Sequence, residues 1–128
     1  MVESIPARGR VIGAALMAAL ASAVSLSALF VALAPSQFAA AGFAFFVGLP
    51  IALLHSLVIG VPAYLVMRQL GALTWRRSAI GGFAVGALPW GLFAFFVSVD
   101  GWSVLMTVGM MGGSGMIGGL AFAAVLRP

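Results

Sequence analysis

The chain has 128 residues, of which 64% are hydrophobic and 6% charged. A soluble domain carries about 25% charged residues, so this chain cannot cover a water-facing surface and its solvent is lipid. Six Arg against Glu3 and Asp100 give a net charge of +4. The Arg residues sit between apolar runs and form no basic face, which argues against nucleic acid and for orientation in a bilayer.

Residues 1–10 form a polar tail ending in Arg8 and Arg10, and Pro6 and Gly9 argue against helix there. The first apolar run covers residues 11–33. At 1.5 Å per residue it reaches about 34 Å, enough to cross a hydrocarbon core of about 30 Å. A basic start, an apolar middle and Ala32-Leu33-Ala34 also fit a secretory signal. Against cleavage stand the length of the run and Pro35, whose fixed φ suits an extended protease site poorly. The first run is therefore expected to stay as a span.

Pro35, Ser36 and Gln37 end that span, and residues 38–42 are expected to form an uncharged connection. The second run, residues 43–67, is apolar apart from His55, Ser56 and the tip of Tyr64, with Pro50 and Pro62 flanking the only histidine. A polar loop follows over residues 68–77, with Gly71 as a helix stop, Thr74 as an N-cap and Trp75 at headgroup depth. The third run covers residues 78–97 and contains Pro89-Trp90-Gly91. Residues 98–102 are expected to form a tight turn around Asp100-Gly101, and the fourth run covers residues 103–126. A β-barrel would alternate over segments of about ten residues. These runs are continuous and twice as long, so they predict helices.

The expected fold is all-α: one integral membrane bundle of four transmembrane helices. Arg8, Arg10, Arg68, Arg76, Arg77 and Arg127 all fall on one side of a four-span threading and Asp100 on the other. That asymmetry predicts both termini in the cytoplasm, in what is expected to be a bacterial inner membrane. Phe43, Phe45, Phe46, Phe93, Phe95, Phe96 and Trp102 gather towards the outer boundary, as an aromatic belt should.

Inside lipid, close backbone packing between small residues holds helices together. Gly82/Gly86 in the third run, and Gly109/Gly113 and Gly115/Gly119 in the fourth, are GxxxG pairs. Ala14/Ala18/Ser22 and Ala15/Ala19 give the first run two smooth faces. These faces serve either a monomeric bundle or a partner chain, which would be another membrane protein or a second copy. Residues 113–118 also match GxGxxG, but that motif needs a strand before it and an acidic residue about 20 positions on; here it is a product of glycine abundance.

His55 is the candidate polar site. It lies mid-span, and Gly48, His55 and Pro62 recur at seven-residue spacing on one helix face. Pro62 cannot donate to the Val58 carbonyl nor Pro50 to that of Phe46, and free carbonyls are costly in lipid. The plainer expectation is a neutral ring bonded to a neighbouring helix, with Ser22, Trp90 and Ser114 at the same depth. The sharper one is a single ligand to a group such as haem. Met106, Met110, Met111 and Met116 could suggest Cu(I), but methionine is more often a flexible packing residue. No metal or other cofactor is expected.

Missing groups exclude catalytic chemistries. With no Cys there is no thiol nucleophile. Glu3 and Asp100 face opposite sides, so neither a carboxylate pair nor a Ser/His/acid set can form, and no enzyme activity is expected. Small four-span multidrug exporters are similar in length and topology, but their coupling depends on an acidic residue in the first span, which this chain lacks. In general character the chain resembles small four-span proteins of bacterial inner membranes. The sequence points first to a non-catalytic accessory or interaction subunit packing through Gly-rich faces. The alternatives are an oligomeric transporter or channel, and a cofactor-binding subunit ligating through His55.

Overall fold

The computed structural model describes residues 8–33, 35–69, 74–97 and 100–126, and these are all helical apart from Thr74 and Asp100 at helix starts. Helix α1 is Arg8–Leu33 and a single 3-10 turn, Pro35–Gln37, follows it. Helix α2, Phe38–His55, passes through a π-helical turn, Ser56–Gly60, into α3, Val61–Gln69. Together these make one span of 32 residues. Helix α4 is Trp75–Val97 and α5 is Gly101–Leu126. Four helices are thus long and apolar enough to cross a membrane.

The helices start earlier than the apolar runs do. Residues 38–42 are helical, not a connection, because Phe38-Ala39-Ala40-Ala41 is a helix-favouring run with nothing to break it. Gly9 and Arg10 likewise belong to α1. Thr74 caps α4: the Arg77 N–H donates to its Oγ1 at 3.2 Å. Asp100 caps α5, accepting from the Ser103 N–H and Oγ at 2.8 Å each, so Gly101 and Trp102 are the first helical residues and not part of a turn. Gly71 lies outside the described residues.

Side by side, the order is second span, α1, α5, α4. The α4–α5 seam is backbone on backbone. A Cβ on Gly82 would strike the Gly115 carbonyl oxygen and stand 2.9 Å from Gly119 Cα, and one on Gly86 would strike the Met111 carbonyl oxygen. Conversely, a Cβ on Gly115 would strike the Gly82 carbonyl oxygen, and one on Gly119 that of Ser78. These four glycines interlock two antiparallel helices as small-residue packing in lipid requires. Gly109 and Gly113 do not join them: a Cβ at either would meet nothing within 4 Å. They lie on a different side of α5, as their spacing from Gly115 implies.

An adjoining face of α5 packs on α1. A Cβ on Gly118 would meet Ser22 Oγ and the Ala18 carbonyl oxygen, so glycine here clears the way for the Ser22 hydroxyl to donate to the Ser114 carbonyl at 3.0 Å. Arg10 Nη2 donates to the Val125 carbonyl at 3.1 Å, satisfying an acceptor that the last turn of α5 leaves open. Ala14, Ala15, Ala18, Ala19 and Ala23 are all buried, so α1 uses its small faces at the centre of the bundle. Large apolar side chains point outward instead; Phe96 is 81% and Phe46 77% exposed. That inversion relative to a soluble core is expected where lipid surrounds the helices.

Candidate functional site: a cleft beside His55

The second span packs along α1 but meets α4 chiefly at the π-turn. A cavity of about 400 Å³ opens between the span and the α4–α5 pair, with α1 as its floor. The cause lies in the backbone around Pro62. The Val61 N–H donates to the Ser56 carbonyl, five residues back, instead of to Leu57. Pro62 has no N–H to offer, so the Leu57 carbonyl has a donor at neither helical spacing, and Val58 loses its α-helical one. The sequence predicts a gap at Val58; the π-turn adds Leu57, whose α-helical donor, the Val61 N–H, goes to Ser56 instead.

The extra residue in the turn also rotates everything after it. Gly48, Ala52 and His55 line the cavity, and an unbroken helix would continue that stripe through Ile59, Pro62 and Val66. Instead the lining continues through Gly60, Ala63, Tyr64 and Met67. Pro62 is exposed, as are Ile59 and Val66. The expected Gly48/His55/Pro62 stripe is therefore corrected: Gly48 and His55 share a face and Pro62 does not, because one inserted residue turns a helix by roughly 100°. Tyr64 and Met67 were not legible as cleft residues for the same reason. The one available signal was Gly60 two residues before Pro62.

His55 ends α2. Its Nδ1 lies 3.0 Å from the Ile51 carbonyl on its own helix. A carbonyl only accepts, so Nδ1 carries the hydrogen and Nε2 is the nitrogen left over. The imidazole stacks on Trp90, with ring centroids 6.4 Å apart and planes at 19°, and Trp90 meets Phe93 edge-on at 6.1 Å. Ser22, Trp90 and Ser114 all line the cavity with His55. Only Trp90 engages the imidazole directly. The Ser22 hydroxyl donates to the Ser114 carbonyl, and that of Ser114 to the Met111 carbonyl at 3.0 Å. His55 is thus held by its own helix and an aromatic face, not by a hydrogen bond across helices.

The rest of the lining is largely apolar, and no charged side chain is among it. Asp100 stands at the far start of α5, where the Ser103 N–H, then the Ser103 hydroxyl and the Trp102 N–H, hold its carboxyl below the ordinary 3.8. Among the described residues no three His, Cys, Asp or Glu side chains gather as a metal site. The methionines do not converge: Met111 lines the cleft while Met106 and Met116 are exposed on the outside of α5. Residues 113–118 sit in continuous helix. No family model, curated protein or solved structure matches the chain.

Proposed function

We propose that this is a non-catalytic, single-domain multi-pass protein that takes an apolar small molecule from the bilayer into the cleft between its second span and α4–α5. The single observation that carries the reading is the cleft: about 400 Å³, lined by all four spans, apolar except for a few polar groups around His55 and Trp90. Cavities of this size between bundle helices, apolar with a few convergent polar groups, are the usual form of a small-molecule site. A span broken by proline and a π-turn where it lines a cavity is also how membrane carriers build their sites. This reading develops the transporter alternative and gives His55 the role of a polar reader. The Arg-rich end of the bundle supports cytoplasmic termini and an inner-membrane setting.

The accessory-subunit reading keeps one observation in its favour. Gly82, Gly86, Gly115 and Gly119 are consumed inside the chain, whereas Gly109 and Gly113 face open space and would suit a neighbouring helix of another membrane protein or a second copy.

The test uses Trp90 as reporter in lipid nanodiscs, with Trp75 and Trp102 replaced by Phe. Titration with 4-octylanisole, an apolar ring with no hydrogen to donate, is expected to change Trp90 fluorescence saturably. Ala52→Phe, which fills the cleft, abolishes the saturable part. A response that only rises linearly with probe, or is unaltered by A52F, overturns the reading.

A further inference from the structure

Resting on the cleft as a binding site, we infer that it selects lipophiles whose polar head donates a hydrogen bond, an alcohol or phenol, and that His55 Nε2 receives it. The argument comes from where the hydrogens already are. His55 Nδ1–H is committed to the Ile51 carbonyl, so in the neutral imidazole Nε2 presents a lone pair. Trp90 does not fill it: the indole stacks on the imidazole with planes at 19° and makes no hydrogen bond to it. No hydrogen bond joins Nε2 to any other described residue.

Three neighbouring hydroxyls have their hydrogens committed elsewhere. The hydroxyls of Ser22, Ser114 and Ser78 donate to the carbonyls of Ser114, Met111 and Thr74. Each therefore turns lone pairs, not hydrogen, towards the cleft. The Ser56 and Tyr64 hydroxyls and the Trp90 indole N–H also line the cleft and can donate, so what sets Nε2 apart is that it can only accept, and no carboxylate among the lining residues competes for it. An acceptor left unpaired in an apolar setting is costly, and a donor that reaches it removes the cost. A ketone, ether or hydrocarbon of the same shape cannot.

Two probes of matched shape separate this inference from the reading beneath it: 4-octylphenol, which donates, and 4-octylanisole, which does not. Both are titrated against Trp90 fluorescence in nanodiscs, with affinities expressed per mole fraction of lipid. The phenol is expected to bind about two- to twelvefold more tightly, the range of one net hydrogen bond. In His55→Phe, which keeps an aromatic ring against Trp90, the ratio falls to about one while the anisole still binds. Equal affinities in the natural protein overturn the inference, as when water already satisfies Nε2, and leave the cleft reading intact. A phenol preference that survives H55F also overturns it, since the donor then goes elsewhere. Saturable binding of neither probe overturns both.

Discussion

Replacing Gly115 by Ala and, separately, Gly113 by Ala puts one methyl group at two positions of the same helix with opposite expected results. At Gly115 the new Cβ would strike the Gly82 carbonyl oxygen and lie 3.0 Å from Gly86 Cα and 3.1 Å from Gly86 N. Carbon contacts are comfortable at about 3.5–4.0 Å, so α4 must retreat by about 0.5–1 Å. The obstacles are backbone atoms and cannot turn aside. A gap of that size forfeits a quarter to a half of each contact along the seam, and overpacking of this kind costs about 1–3 kcal/mol. At Gly113 the methyl meets nothing within 4 Å. The intrinsic advantage of Ala over Gly in a helix, about 0.5–1 kcal/mol, applies to both and cancels in the comparison. G113A is therefore expected to be more stable than G115A by about 1–3 kcal/mol. The assay is reversible unfolding in mixed micelles by increasing SDS fraction, followed by far-UV circular dichroism. Equal midpoints, or G113A as the weaker variant, would refute the assignment of Gly82, Gly86, Gly115 and Gly119 to the seam.

Three further outcomes follow from the same geometry. Ser22→Ala removes the donor to the Ser114 carbonyl and is expected to cost about 0.6 kcal/mol, typical of an interhelical hydrogen bond in lipid; no loss in the same unfolding assay would show the bond to be idle. His55→Ala deletes the ring stacked on Trp90 and is expected both to lower the unfolding midpoint and to shift Trp90 emission, and failure of both would contradict the stacked arrangement. Donors from Ser103 and Trp102 hold the Asp100 carboxyl below its ordinary 3.8. Its ionised form thus supports the start of α5 above that value, and the support is lost as pH falls through the lowered folded pKa. The Ser103 amide resonance should titrate with a midpoint below 3.8; a midpoint at or above that value contradicts the cap.

Much of the fold was legible because run length is a one-dimensional property: four apolar stretches gave four helices. Their starts were less legible. Residues 38–42 carry no charge and no apolar period, so only helix propensity marks them, and Asp100-Gly101 serves as well for a helix start as for a turn. Among the glycines, spacing alone ranked Gly109/Gly113 with Gly115/Gly119. Which pair packs depends on how α5 is rotated against α4, which follows from the whole bundle and from no single segment. The candidate site was legible as depth but not as geometry. His55, Ser22, Trp90 and Ser114 line one cavity, yet the serines bond backbone carbonyls that no sequence pattern singles out. Pro62 marked a fault in the second span; that the chain would step over it by one residue, turning Tyr64 and Met67 inward, required the path of the backbone.

That one-residue step shapes the cleft, and spin-label accessibility along the second span tests it most directly. The chain has no Cys, so single cysteines at Ile59, Ala63, Val66 and Met67 can each carry a nitroxide in nanodiscs. Val66 lies eleven residues from His55, close to three turns of 3.6 residues, so an unbroken helix would turn it to the same side. The π-turn places Ile59 and Val66 outward, 38% and 54% exposed, and Ala63 and Met67 on the cleft. High oxygen accessibility at Ile59 and Val66 with low values at Ala63 and Met67 is the predicted result. The reverse pattern, with Val66 shielded and Met67 open to lipid, would contradict the π-turn register and with it the cleft beside His55.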